Sequence, residues 1–130
     1  GLYNQMFRPQ KDRSTFEHRY HGRPQILQMV ARRQDRPVGF LVGYESEPGV
    51  LFVWLLGVLP TDRRQGIASQ LFEAAESWAR ETGYEWIRAE CLNPQRAALS
   101  LLIAREFDIV GLRWDVEQME NQLLFQKAIG

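Results

Sequence analysis

The chain is short of the residues that metal and disulfide chemistry use. Its 130 residues include one cysteine, Cys91, and two histidines, His18 and His21. One cysteine can form neither an intrachain disulfide nor a cysteine-rich zinc site, and two lone histidines do not make a catalytic metal cluster. The reading is of a metal-free protein in a reducing, cytoplasmic compartment. Net charge is lacking as well. The 16 Lys and Arg balance 16 Asp and Glu, so there is no overall field for coating nucleic acid or an anionic membrane. No apolar run approaches the ~20 residues of a membrane-spanning helix, and the amino terminus has no signal-peptide pattern. Internal repeats, low-complexity tracts and linkers are also missing, so residues 1–130 are expected to form a single domain.

What is present suits a packed core. Hydrophobic residues make up 45% of the chain, with 4 Trp, 4 Tyr and 7 Phe, and a domain of this size buries roughly two-thirds of the surface its unfolded chain exposes. The charge is unevenly spread. Residues 1–40 hold eight Lys or Arg against three acids, a surplus that reads as a solvated basic face, with a binding surface as the alternative.

Along the chain, Ser14-Thr15-Phe16-Glu17 has the spacing of a capping box and predicts a short helix that His21-Gly22-Arg23-Pro24 ends. Gln25 to Arg33 alternates as a strand, Gln34 to Pro37 is a turn, and Val38 to Tyr44 completes an antiparallel hairpin. After the turn at Glu47-Pro48-Gly49, Val50 to Leu59 is nearly all apolar, as in a central strand covered on both faces. Helical spacing of Leu71, Phe72, Ala75, Trp78 and Ala79 follows, until Thr82-Gly83 stops it. Glu85 to Leu92 reads as a strand and Ala97 to Leu102 as a helix. Phe107 to Asp115 and Asn121 to Ile129 read as two closing strands. The tryptophans, Trp54, Trp78, Trp86 and Trp114, fit core packing, as does Cys91.

The most informative stretch joins the apolar strand to the long helix. Pro60-Thr61-Asp62 leads into Arg63-Arg64-Gln65-Gly66-Ile67-Ala68. A helix amino terminus offers unpaired N–H groups and a positive dipole end, and Gly66 lets a ligand approach the backbone. With Arg63 and Arg64 beside it, the loop suits a pyrophosphate or similar anion. It is not a Walker loop, because no Gly-Lys-Ser/Thr follows, nor a dinucleotide fingerprint with three spaced glycines.

Val58-Leu59-Pro60-Thr61-Asp62-Arg63-Arg64-Gln65-Gly66-Ile67-Ala68 resembles the acetyl-CoA-binding segment of the GNAT superfamily of N-acetyltransferases, whose signature is Gln/Arg-x-x-Gly-x-Gly/Ala. Arg63, Gly66 and Ala68 fill it, and the resemblance extends from about Ile26 to Ile129. It implies an α/β fold of the α+β type with a mixed, mostly antiparallel central sheet flanked by helices. It also implies acetyl-CoA as acyl donor. Backbone groups of Leu56, Gly57 and Val58 would pair with the pantetheine arm. Arg63, Arg64, Gln65, Gly66, Ile67, Ala68 and Ser69 would hold the pyrophosphate. Asn93 is the preferred further cofactor contact, with Gln95 the alternative because the segment before Phe107 looks about two residues longer than usual.

Chemistry is where the chain departs from the family. Leu102 stands where many members place the tyrosine that protonates the leaving thiolate, and Glu106 replaces the glycine before Phe107. The same alignment puts Glu90 where some members keep a basic glutamate, and burial among Ile87, Ala89 and Cys91 would favour that role, while pairing with Arg88 or Arg113 would make it structural. Glu45 and Glu47 are rival bases that also read as turn residues, Tyr44 suits the acceptor cleft, and His18 and His21 suit a solvent-facing helix. Members usually begin with a strand and a helix, for which Gly1 to Arg8 is too short, so the first strand and helix are expected to be missing. The apolar cluster Leu2, Tyr3, Met6 and Phe7 suits either covering a cleft or docking on a second subunit as a homodimer. The expected function is direct transfer of acetyl from acetyl-CoA to a primary amine of a small molecule, peptide or protein. A catalytically silent CoA-binding module is the alternative, and neither nucleic acid nor membrane is an expected partner.

Overall fold

The computed structural model describes residues 7–9, 26–63 and 65–130. Three strands follow one another antiparallel: β1 (Phe7–Pro9), β2 (Ile26–Arg33) and β3 (Arg36–Glu47). β4 (Val50–Val58) pairs antiparallel with β3, and a 3-10 turn over Pro60–Asp62 leads to helix α1 (Ile67–Thr82). α1 crosses back to β5 (Trp86–Leu92), which lies parallel to β4. Helix α2 (Arg96–Ala104) and the hairpin of β6 (Asp108–Asp115) and β7 (Glu120–Ala128) complete a seven-stranded sheet in the order β1-β2-β3-β4-β5-β7-β6. The sheet is mixed, with β4–β5 its one parallel pair among the described strands, as expected.

Local sequence explains the elements. In β2, Leu27, Met29 and Ala31 are buried at period two. The β2–β3 turn is two residues, Gln34 and Asp35, both with positive φ as the tight hairpin turn requires. α1 buries Ile67, Leu71, Ala75 and Ala79 at four-residue spacing against β2, β3 and β4. Burying each of the larger side chains contributes about 1.5–3 kcal/mol. Glu76 is buried within the same helix, where Arg105 donates to its carboxylate at 3.0 and 3.1 Å and the Lys127 ammonium at 2.7 Å. This cluster ties α1 to the end of α2 and to β7.

Three expectations need correction. Phe7–Pro9 does supply a strand, so the segment judged too short contributes the sheet's edge; the helix expected at Ser14 lies outside the described residues. β4 is not covered on both faces throughout. Val50, Leu51 and Val53 are buried, but Trp54 and Leu55 are 44% and 43% exposed. The tryptophans divide likewise. Trp78 packs against the core beside Tyr84, whereas Trp54, Trp86 and Trp114 are exposed. Trp54 is turned out by an irregularity in β4, Trp86 alternates with buried Ile87, and Trp114 lies on the outermost strand.

Candidate functional site

The site begins with a strand that leaves its neighbour. β4 and β5 pair only through Val50–Phe52 and Trp86–Arg88. Across β3 and β4, Val42 faces Leu55 and Gly43 faces Val53, so Trp54 is an extra residue. Such a bulge bends and twists the strand that carries it. Beyond it β4 follows β3 while β5 follows β7, and the sheet opens into a V. Among the described residues, the β5-facing edge of β4 has no strand partner from Val53 onward.

Two adjoining cavities fill this opening, share Leu56, Ala98 and Leu101 as lining, and together form the groove described below. The smaller, about 320 Å³, lies between Val53–Leu56 of β4 and Ala89–Cys91 of β5, with Phe72 and Leu102 behind it. The larger, about 640 Å³, runs over Leu56, Gly57 and Val58 to the start of α1. There Gly66 adopts φ 77°, a left-handed conformation, and caps the helix without a side-chain hydrogen bond. Its carbonyl accepts from Gln70 N at 3.0 Å. The N–H groups of Ile67, Ala68 and Ser69 have no partner within the helix and border the cavity. A Cβ built on Gly66 would meet nothing within 4 Å, so the cradle is open at that point.

Of the residues expected from sequence to hold a cofactor, Leu56, Gly57, Val58, Arg63, Gly66, Ile67, Ala68 and Ser69 are brought together around the larger cavity. Arg63 Nε donates to the Val58 carbonyl at 3.3 Å, which holds its side chain back against the strand end. Gln65 does not line the groove; its Oε1 accepts from Arg33. Arg64 lies outside the described residues. Asn93 is not in the groove either, and its N–H donates to the Asn121 carbonyl at 2.8 Å. Gln95, the alternative, lines the smaller cavity, and its Oε1 accepts from Leu92 N at 2.7 Å.

Glu90 also lines the smaller cavity, where its Oε1 accepts from Arg113 at 2.7 Å and from Gln122 at 3.4 Å. Glu47 pairs with Arg88 at 2.7 Å, and Glu45 borders a separate small hollow near Gly83, so neither reaches the groove. The Tyr44 ring contacts those of Phe52 and Trp54 edge-on, and Trp54 lines the cavity. Cys91 is buried in the cleft wall, and burial pushes its thiol pKa up. Leu102 is buried beside it. Glu106 has φ 69°, the conformation for which a glycine would be favoured. His18 and His21, and the apolar residues Leu2, Tyr3 and Met6, lie outside the described residues.

Sequence reasoning missed Asp62, buried on the cavity wall and held by Arg33 and Arg36. The clue available was two arginines flanking a tight turn. It also missed Phe72, Ala98 and Leu101, whose helical spacing reads as core. Among the described residues no three His, Cys, Asp or Glu cluster as metal ligands, and no helix is long and apolar enough to cross a membrane.

The same fold is seen in solved acetyltransferases. An acetyltransferase of Bacillus subtilis in complex with CoA superposes with a TM-score of 0.81 at 14% identity, covering 96% of this chain and 99% of that one. The ribosomal-protein-S18-alanine N-acetyltransferase of Escherichia coli gives 0.75 at 17% identity, over 90% of this chain and 76% of that one. Ard1 of Thermoplasma volcanium gives 0.75 at 23% identity, over 79% and 70%. No curated protein matches the sequence. At these identities the likeness is one of fold. The family is given by the model of the acetyltransferase (GNAT) family, which matches residues 2–107, and the chain belongs to that family.

Proposed function

We propose that the chain is an acetyl-CoA-dependent N-acetyltransferase that moves acetyl directly to a primary amine of a small molecule, peptide or protein. The observation that carries this reading is the groove itself: a gap in the sheet whose cavity adjoins, at Leu56, Ala98 and Leu101, the cavity at an open helix amino terminus. Its two halves fit the two chemistries of acetyl-CoA. The N–H groups of Ile67, Ala68 and Ser69, with Arg63 beside them, would hold the diphosphate. The unpaired edge of β4 at Leu56, Gly57 and Val58 would accept the amide-bearing pantetheine arm as an added strand. Acetyl-CoA supplies an activated acyl group in the gap between β4 and β5.

Three tasks then fall to the chain. The acceptor must lose a proton, the carbonyl must be polarised, and the nucleophile must be aligned. Glu90, the carboxylate in the cleft wall, is the proposed base and the group that attracts a cationic amine: among the described residues its bonds to Arg113 and Gln122 both fall on Oε1, which leaves Oε2 to take the proton. Backbone N–H groups on the free edge of β4 would polarise the carbonyl. As the C–N bond forms, the C–S bond breaks and the thiolate departs. With Leu102 in place of a hydroxyl, the second proton that the amine nitrogen loses reaches the thiolate through water. Gln95 is the groove-lining candidate for the further cofactor contact in place of Asn93.

Leu102 gives the second reading, a CoA-binding module without turnover, a specific foothold: the described cleft wall behind the gap is apolar where a general acid would sit. Incubating acetyl-CoA with a panel of small-molecule, peptide and protein amines separates the two. Free thiol released in proportion to acetylated amine supports the enzyme. Tight binding with no release across the panel supports the module. Glu90→Gln is expected to lower turnover near neutral pH by about 10²-fold or more while leaving CoA affinity unchanged.

A further inference from the structure

The turn between β2 and β3 carries an arrangement that strand pairing alone disfavours. Arg33 and Arg36 are direct cross-strand partners, and like charges facing one another weaken an antiparallel pair. The turn between them places two non-glycine residues, Gln34 and Asp35, at φ 52° and 64°, a region side-chain-bearing residues rarely adopt.

The positive φ values belong to the two-residue turn itself, and the like-charge pairing is accounted for by what the arginines hold. Asp62 is 3% exposed. Arg36 Nη2 donates to its two oxygens at 3.3 and 3.4 Å, Arg33 Nη1 lies 3.5 Å from Oδ1, and Thr61 Oγ1 donates to Oδ2 at 2.9 Å. Arg33 Nη1 also donates to Gln65 Oε1. The hairpin tip therefore grips the β4–α1 loop at two points, on either side of Arg63. Asp62 also lines the larger cavity. A lone buried carboxylate on that wall would repel an anionic ligand; two guanidinium groups against it leave one net positive charge.

We propose that Arg33 and Arg36 are positioning residues for binding the diphosphate of CoA. Through Asp62 and Gln65 they fix the loop in the shape that leaves the first N–H groups of α1 facing the cavity, and they cancel the Asp62 charge there. This rests on the reading of the groove as an acetyl-CoA site and adds the device that keeps its anion end in shape.

Calorimetric titration with CoA and with phosphate-free pantetheine tests it, because only CoA uses the loop. The Arg33→Ala/Arg36→Ala variant is expected to bind CoA about tenfold more weakly or worse, the worth of one charge-assisted hydrogen bond, with pantetheine affinity within about twofold of wild type. Asp62→Ala is expected to give a comparable loss. Combining all three changes should cost no more than the arginine pair alone, since the three act as one unit and the third change also removes the uncompensated carboxylate. An equal fall for CoA and pantetheine would reduce the cluster to general scaffolding and overturn the proposal. Losses that add, or an Asp62→Ala protein that binds CoA as well as wild type, would overturn it in favour of direct arginine contact with the ligand. If circular dichroism shows the alanine variants unfolded, Arg33→Lys/Arg36→Lys keeps the charges but not the two-pronged geometry. It should show the same CoA-selective loss, smaller in size, and equal losses there would again overturn the proposal. Wild-type protein that binds neither ligand would defeat the acetyl-CoA reading itself, a result distinct from variants failing beside a competent wild type.

Discussion

Helix α1 meets a left-handed glycine at each end, yet the two ends are built for opposite purposes. At the carboxyl end Gly83 has φ 101°, and its N–H donates to the Ala79 and Arg80 carbonyls at 3.1 and 3.3 Å. Tyr84 N donates to Ala79 O at 2.9 Å, Thr82 Oγ1 to Trp78 O at 2.6 Å, and Tyr84 is buried beneath. The Ala79 and Arg80 carbonyls are taken up there by the chain itself. At the amino end Gly66 has φ 77°, no side chain caps the helix, and the next three N–H groups border a cavity. One conformation thus closes a helix in one place and leaves it open in another. The difference lies in whether neighbouring groups satisfy the free backbone, and the end left open is the one that can bind an anion.

The comparison can be broken or sharpened by substitution. The largest expected effect lies midway along the helix. Glu76→Ala would remove the buried carboxylate that Arg105 and Lys127 share and lower unfolding free energy by about 3–5 kcal/mol. Denaturant titration measures this. The melting-temperature rise produced by CoA should survive in the variant, since the cluster does not border the groove.

A matched pair probes the two ends directly. Gly66→Ala and Gly83→Ala each force a Cβ into a left-handed conformation, and each should cost about 1 kcal/mol of stability. Only Gly66→Ala should also weaken CoA binding, by about tenfold, because it disturbs the N–H cradle. Equal CoA affinities for the pair would erase the distinction drawn between the ends.

The smallest expected effect concerns Cys91, in the cleft wall. Burial raises its thiol pKa, so the folded protein keeps the proton where the unfolded chain loses it. Stability is therefore unaffected below the ordinary thiol range. As pH rises through that range and up to the raised value, it falls by at most about 1.4 kcal/mol per pH unit. Unfolding curves of wild type and Cys91→Ala across alkaline pH should diverge in that sense. Alkylation of wild type near neutral pH should be slow and slower still with CoA present.

β2 and α1 were legible because each carries a clean period. Leu27, Met29 and Ala31 alternate, and Ile67, Leu71, Ala75 and Ala79 repeat every four residues. The proposed anion loop was legible too, since the role proposed for Gly66 and its neighbours runs through the backbone of consecutive residues. What stayed hidden depends on contacts between distant segments. Nothing local marks Asp62 as buried; its partners are Arg33 and Arg36, about thirty positions earlier in the chain. Trp54 reads as core until the bulge turns it out. Between Asn93 and Gln95 the sequence left two alignments open. The turn after β5 brings Gln95 to the groove because its side chain bonds back to Leu92, while the Asn93 backbone is committed to Asn121. β1 escaped notice because a three-residue strand has too few positions to show a period.

The most direct test of the account is a crystal structure of the wild-type protein with acetyl-CoA. The account predicts the diphosphate on the N–H groups of Ile67, Ala68 and Ser69, the pantetheine arm along Leu56–Val58, and the thioester in the gap between β4 and β5 near Glu90. A cofactor seated elsewhere, or a thioester that emerges away from that gap, would contradict it.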